Sequence, residues 1–378
     1  MSNFPMNTIK EKNFTKVFRL IYDTDQMNEK LSKQEIANQT KLSLPTVTKN
    51  LNELLEKNLI LEDGKFSSQG GRKAVAYSLN RLAKVSLGVE LLSDSITIVA
   101  SDLLGSTISS KKIKIAYENN DHYYQDIAAL ILDFIKKEEI IEETILGLGI
   151  GVQGLVSADG STILYGSILN NTDLSIDILA SYFDFPCRFV HDAECVALAE
   201  IWEDHSLEDA LILSIGEHLG GALIINRELY KGENRRSGTI EHTIIDPNGP
   251  TCYCGKQGCV EVFCSLHALS SLIDSDIDSF INSLSSDNSK NQAIWTTYLN
   301  SLAIALNNFH MFLDNRIIIA GELLHYFTEK DLITLREIVK EKNAFPESKE
   351  LIYLGNVKNK AVPIGAAITF MQPFLDAI

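Results

Sequence analysis

The sequence predicts an α/β protein of two lobes behind a small, mostly helical head, and three observations carry that expectation. Charge divides the chain: residues 1–80 hold 12 Lys and Arg against 9 Asp and Glu, whereas residues 81–378 hold 22 against 41. From Val85 onward, strand-like runs alternate with helical stretches, the texture of an α/β fold. A hydrophobic share of 45% over 378 residues supplies enough apolar side chain for two or three cores.

In the head, Ser32-Lys33-Gln34-Glu35 has the form of a capping box and predicts a helix to about Thr40 that buries Ile36 and Ala37. Ser43 is a second N-cap, with Pro45 in the first turn of a helix reaching roughly Lys57. Its apolar positions Val47, Leu51, Leu54 and Leu55 recur at helical spacing, which leaves Ser43, Pro45, Thr46, Thr48, Lys49 and Asn50 at the exposed amino end. Runs at Leu59–Gly64 and Ala74–Leu79 predict two strands joined by 66–73. The series reads as a winged helix-turn-helix. The start of its second helix would enter a major groove through Ser43, Thr46, Thr48, Lys49 and Asn50. The wing tip Gly70, Gly71, Arg72 and Lys73 would suit a minor groove, where Arg is drawn to negative potential. An acidic body behind a basic head disfavours indiscriminate binding to DNA, so recognition would depend on pairing two heads on operator duplex.

In the body, strands are expected at Val85–Leu92, Ile96–Ser101, Lys112–Ala116 and Ile145–Gly151, with a helix near Tyr124–Glu138. Leu211–Ile215 and Ala222–Ile225 begin a second set, followed by a helix at Gln292–Leu313 and a strand at Arg316–Ala320. No internal repeat is legible in the residues. His242 is followed by Cys252, Cys254 and Cys259 within eighteen residues among glycines. One His and three Cys so spaced can wrap one tetrahedral ion, so a structural zinc is expected, with every ligand position filled. Cys187, Cys195 and Cys264 are scattered and read as small core residues. Six cysteines, three of them clustered, fit a reducing compartment. No apolar run approaches the ~18 residues of a membrane span, and residues 1–16 lack the pattern of a secretory signal, so a cytoplasmic location and no membrane partner are expected.

The segment from Gly238 to Glu261 resembles the signature of the ROK family of sugar kinases and sugar-responsive repressors, a Gly-His followed by Cys-x-Cys-Gly-x-x-Gly-Cys-x-Glu. The head is similar to the amino end of the family's repressors, from Leu31-Ser32 through Ile36-Ala37 to Gly70-Gly71-Arg72. The resemblance implies an actin/hexokinase-like, ribonuclease H-like pair of lobes with a sugar between them. It implies boundaries near 1–80 for the head, 81–190 for a first lobe completed by a C-terminal helix at 361–378, and 191–360 for a second lobe with the zinc loop and an oligomer interface. It assigns zinc to His242, Cys252, Cys254 and Cys259. His191-Asp192-Ala193-Glu194 matches the family's Asn-Asp-Ala-Asn, in which the Asp is the general base of the kinases. Asp192 and His191 are expected to hydrogen-bond sugar hydroxyls; a plain helix cap is the alternative for Asp192. Asn170 falls at the family's sugar-contacting Asn, with Asn171 beside it as a second contact or a loop turn. Glu261 is expected near the sugar.

Three departures separate the chain from the family's kinases. Glu90-Leu91-Leu92-Ser93-Asp94 stands where kinases show Asp-x-Gly-Gly-Thr. Gly216-Glu217-His218-Leu219-Gly220 stands for Gly-Thr-Gly-x-Gly. Bulky and anionic side chains thus replace the backbone cradle that phosphate needs. Thr239 stands at the usual sugar-binding Glu, leaving Glu241 as a substitute carboxylate and His242 as a residue facing both metal and sugar. The expectation is a non-enzymatic, sugar-controlled repressor of carbohydrate genes, acting as a homodimer or homotetramer with a sugar or sugar-phosphate effector. The alternatives are a sugar kinase with a DNA-binding head and a repressor governed by a protein partner.

Overall fold

The computed structural model describes residues 9–66, 73–285, 288–346 and 349–378. The head comprises α1 (Ile9–Gln26), β1 (Leu31–Ser32), α2 (Lys33–Thr40), α3 (Leu44–Glu56), β2 (Ile60–Lys65) and β3 (Val75–Leu79). The capping box forms: Ser32 N–H donates to Glu35 Oε2 at 2.7 Å, and Glu35 N–H donates to Ser32 Oγ at 3.3 Å. Ser43 caps α3, accepting from Thr46 N–H at 3.4 Å. β1, β3 and β2 form an antiparallel wing sheet. Val17, Phe18 and Ile21 of α1 close the head core against Ile36, Val47, Leu51 and Leu54.

The first lobe contains β4 (Val85–Leu91), β5 (Ser95–Ser101), β6 (Thr107–Lys114), α4 (Asp121–Lys137), β7 (Ile145–Val152), β8 (Leu155–Val156), β9 (Ile163–Tyr165), α5 (Asp177–Ala180) and β10 (Cys187–His191). α6 (Asp192–Glu203) leads into the second lobe: β11 (Ala210–Ile215), β12 (Leu219–Ile225), β13 (Glu228–Tyr230), α7 (Glu261–Cys264), α8 (Leu266–Ser270), α9 (Ile277–Ser283), α10 (Ser289–Leu313), β14 (Ile317–Ala320), α11 (Glu329–Lys342) and β15 (Ile352–Leu354). α12 (Ala361–Asp376) ends the fold. The two large sheets have the orders β10-β7-β4-β5-β6 and β13-β12-β11-β14-β15. In each, three antiparallel strands are extended by two parallel ones on the first strand's free edge. The lobes therefore repeat one topology that leaves no legible trace in the residues.

α12 returns to the first lobe and packs on β4, β7 and α6. It comes so close that a Cβ on Gly88 would lie 1.7 Å from Pro363 O, and one on Gly149 2.1 Å from Ala366 O. Gly149→Ala is expected to cost about 3 kcal/mol or more, because both neighbours are backbone and cannot rotate away; urea denaturation measures it. The far end of α12 meets the head. Met371 and Leu375 join the cluster holding Phe14 and Phe18, Arg19 donates to Leu375 O, and Thr15 Oγ1 donates to Ile378 O. Asp25 pairs with Arg81 at 2.6 Å, and Tyr22 OH donates to Leu103 O at 3.2 Å. Among the described residues no helix is long and apolar enough to cross a membrane.

Candidate ligand cleft and metal centre

The parallel strands β4, β7, β10, β11, β14 and β15 turn their carboxyl ends toward one cleft, the usual place for ligands in open α/β sheets. It holds two adjoining cavities. The larger, about 670 Å³, is lined by Glu90 to Asp94, Gly216 to His218, Gly321 and Glu322, among others. The smaller, about 370 Å³, lies between the β8–β9 hairpin and the loops of the second lobe, and His191, Asp192, Glu241 and His242 line it. Asp192 and His218 line both. Small-molecule sites commonly span about 300–1,000 Å³, a range that holds both cavities.

The two segments that depart from the kinase turns meet in the larger cavity, where Glu90 and Glu217 are both among the lining residues. Leu219, Gly220 and Gly221 are strand, not turn: β12 pairs with β11, and a Cβ on Gly221 would meet Gly238 O at 2.5 Å. Gly221 thus admits the 238 loop to the sheet, while Gly220 faces Ala193. Burial, with the nearby Asp192 carboxylate, pushes the Glu90 carboxyl up to about 7. A folded-state value above the unfolded one means that the neutral acid favours folding; that stability is complete below about 4.5 and is lost as pH rises through 7. Glu90→Gln is therefore expected to melt higher than wild type at pH 8, and the gap should shrink toward pH 5.

In the smaller cavity, Asp192 is the first residue of α6. Its Oδ1 accepts from Ala193 N–H at 2.7 Å and lies 3.2 Å from His191 Nε2. Burial raises its carboxyl, against the lowering influence of His191. Glu241 is 6% exposed, its Oε1 3.8 Å from His242 Nε2, and burial pushes it up to about 8. Thr239 lines the cavity, but its hydroxyl donates back to Arg236 O at 2.9 Å. Three expected ligand residues are placed elsewhere. Asn170 is exposed in a left-handed conformation (φ 51°), its carbonyl accepting from Asn119 Nδ2 at 2.8 Å. Asn171 is 1% exposed and packs beneath the loop, its Oδ1 against Gly166. Glu261, 3% exposed, does not line the cavity: its two oxygens meet His218 Nδ1 at 2.7 Å and Leu219 N–H at 2.8 Å. His218 thus stands between Glu261 and the cleft. Burial pulls its pKa down, but the Glu261 hydrogen bond and charge more than offset that, leaving it raised. Sequence reasoning treated Gly216-Glu217-His218 only as a damaged turn, and it missed Arg236, Asn234 and Tyr253, which also line the cavity. The adjacent pair Arg235-Arg236 was the one available signal.

Beside this cavity the side chains of His242, Cys252, Cys254 and Cys259 converge, with one candidate ligand atom from each lying within 4.8 Å of every other. Cys252 Sγ is 3.8 Å from His242 Nδ1, and Cys254 Sγ is 3.7 Å from Cys259 Sγ. Metal bonds of about 2.0–2.3 Å in a tetrahedron give ligand separations of roughly 3.3–3.8 Å, so the donor set and its spacing fit zinc. Tyr253, inside the metal loop, packs edge-on to both His242 and His218, with ring centroids at 5.1 and 5.5 Å. The loop that would hold the metal therefore also builds the cavity wall.

On the head, the described face of α3 differs from expectation at one position. Ser43 and Lys49 are exposed and Thr46 and Thr48 half-buried, but Asn50 is 2% exposed. It follows Val47 by three residues and precedes Leu54 by four, which turns it inward, and among the described residues its Nδ2 has no partner. Asn50 is thus removed from the groove-facing set. Ser43 Oγ and Thr46 Oγ1 lie 2.8 Å apart in the cap, and Thr48 Oγ1 donates to Leu44 O. Gly70, Gly71 and Arg72 lie outside the described residues; Lys73, at the start of the return strand, is exposed.

Head, wing sheet, paired lobes and cleft define a class of protein: a winged-helix domain carried on a two-lobed α/β ligand cleft. The pattern of the ROK family matches residues 86–372, and that of a winged helix-turn-helix DNA-binding domain matches residues 17–60. The chain belongs to the ROK family. It is 27% identical over 394 residues to the xylose repressor of Caldicellulosiruptor bescii, covering 97% of each chain. It is 30% identical over 246 residues to the xylose repressor of Bacillus subtilis, covering 64% of each. It is 25% identical over 355 residues to the DNA-binding transcriptional dual regulator NagC of Escherichia coli, covering 88% of this chain and 85% of that one. Among solved structures, a ROK family transcriptional regulator homologous to the Escherichia coli MLC protein superposes with a TM-score of 0.76 at 20% identity, covering 97% of both chains. The ROK hexokinase of Thermus thermophilus superposes with a TM-score of 0.62 at 20% identity, covering 77% of this chain and 99% of that one.

Proposed function

We propose that the protein is a transcriptional repressor of carbohydrate genes that binds operator DNA through its head and responds to a sugar effector in the smaller cavity. The observation that carries this reading is the asymmetry of the cleft. His191, Asp192 and Glu241, which can hydrogen-bond a sugar, line the smaller cavity, while Glu90 and Glu217 line the neighbouring one, where acidic groups would oppose a nucleotide's phosphates. Binding, not phosphoryl transfer, is the chemistry such a site supports. His191, Asp192 and Glu241 hydrogen-bond the sugar hydroxyls, and Leu155 and Ile168 cover its apolar face. Zinc held by His242, Cys252, Cys254 and Cys259 fixes the wall carrying Glu241 and Tyr253. The repressors named above support the assignment of class.

Two heads on a homodimer meet half-sites about 34 Å apart or a multiple of it, in the cytoplasm where operator DNA lies. α12 runs from the cleft, where Ala361 and Val362 line the larger cavity, to the head, where Leu375 packs near Phe18. Closure of the lobes on a sugar would be conveyed along it to the spacing of the heads. A preference of about 1.4 kcal/mol for one spacing changes operator occupancy about tenfold. The test is titration of a duplex selected by the protein from a random pool, with and without sugars, alongside ATP–magnesium turnover with hexoses. Operator release or tightening by a sugar, with no turnover, is expected. Turnover of ATP would reinstate the kinase reading, and operator affinity unmoved by any sugar would overturn effector control.

A further inference from the structure

Resting on that reading of the smaller cavity, we infer that its effector is an anionic monosaccharide derivative, a phosphate ester or a sugar acid, whose charged group is held by Arg236. The loop following β13 carries three cations, and the structure uses two of them internally. Lys231 Nζ pairs with Glu194 at 2.8 Å. Arg235 lies 3.9 Å from the same carboxylate, and its Nε donates to Val156 O of the first lobe at 2.9 Å. Arg236 lines the cavity and, among the described residues, neither an ion pair nor a side-chain hydrogen bond engages its guanidinium. Its main chain is nevertheless held, because its carbonyl accepts from both the N–H (3.4 Å) and the hydroxyl (2.9 Å) of Thr239. Asn234, with an amide that donates two hydrogens, lines the same mouth.

The carboxylates nearby leave this cation uncompensated. Asp192 is occupied by His191 and the Ala193 N–H, Glu241 is buried against His242, and Glu261 spends both oxygens on His218 and Leu219. Position 239 offers a hydroxyl turned into the loop instead of an acid. In a chain of net charge −16, the exposed guanidinium of Arg236 is a cavity-lining cation that no acid pairs with among the described residues, and it favours an anionic group at its end of the cavity. A guanidinium fork matches a phosphate or carboxylate with two parallel N–H···O bonds, whereas a neutral hydroxyl can use only one. The sugar hydroxyls then lie at the Asp192 end and the anionic group at the Arg236 end. A reversed ligand would set its charge against Asp192.

Titration calorimetry on the full-length protein tests this with glucose, N-acetylglucosamine and xylose, the phosphate esters of each at the terminal carbon, glucuronate, and inorganic phosphate alone. One phosphate ester or the uronate should bind about tenfold to a hundredfold more tightly than its neutral parent; which of the two does so separates the sources of the charge. In Arg236→Gln that ratio should collapse toward unity, and Arg236→Lys should restore part of it, which distinguishes loss of the fork from loss of the fold. Neutral sugars binding as tightly as their anionic forms, or a ratio unchanged in Arg236→Gln, would sink the inference while leaving the sugar site intact. Binding of inorganic phosphate as tight as that of the esters would overturn it too, since no sugar would then be recognised. Silence from every ligand would remove both the inference and the sugar reading.

Discussion

Replacing Cys259 by Ser should strip the metal from the protein and lower its stability by more than about 4 kcal/mol, the range in which loss of a metal site falls. The residue is fully buried, and the segment between His242 and Glu261 contains no helix or strand, only isolated bridges such as Ile244 to Cys259 and Thr251 to Gln257. A chain of that kind has little apolar burial of its own to offset the entropy of ordering it. A tetrahedral ion would supply the missing cross-link, and its binding energy would become folding energy because the unfolded chain has no preformed site. The effect should spread beyond the loop, since Tyr253 and Glu241 line the smaller cavity and Glu261 pairs with His218. Elemental analysis should find one zinc per chain in wild type and none in the variant, and calorimetry should show the lowered melting temperature. Wild-type protein free of metal, or a Cys259→Ser protein melting with wild type, would remove zinc from the account.

Lys49→Glu should leave the fold within about 0.5 kcal/mol of wild type but weaken operator binding by about 3–6 kcal/mol, or roughly a hundredfold to ten-thousandfold. Lys49 is exposed on α3, and among the described residues it has no hydrogen-bond or ion-pair partner, so the fold itself makes no use of its charge. A two-headed assembly loses the contact twice, each hydrogen bond to a charged group being worth about 1.5–3 kcal/mol. Lys49→Ala should also flatten the salt dependence by about one unit of slope per head. Binding that is insensitive to either change, measured by fluorescence anisotropy across a salt series, would place the DNA contact on another face of the head.

The legible parts of this protein share a physical property: their signals act over a few residues. A capping box closes within one turn, so Ser32 and Glu35 announced α2 without help. The ligands of one ion must lie near one another in space, and a tight glycine-containing loop puts Cys252, Cys254 and Cys259 near one another in sequence as well. The glycine turns of a phosphate cradle are equally local, so the departures at Glu90 and Glu217 were legible without the fold. Asn50 shows the limit of the same logic, because polarity suggested exposure while its place on the helix, set by Val47 and Leu54, buried it.

What the sequence by itself determined is the identity of the parts: a capped two-helix head, a loop of one His and three Cys, strands and helices in α/β order, and two turns that depart from the glycine-rich pattern of the family's kinases. The tertiary structure alone decided how those parts address one another. It carried α12 back across β4 and β7 to the head, folded two unlike sequences into one repeated sheet topology, set His218 in front of Glu261, and left Arg236 at the cavity wall without an ion pair among the described residues while its neighbours latched onto Glu194 and Val156. Each of these relations joins residues tens to hundreds apart in the chain, and they are fixed by which apolar surfaces can close-pack together. No run of residues records that choice, because it is made by the whole core at once.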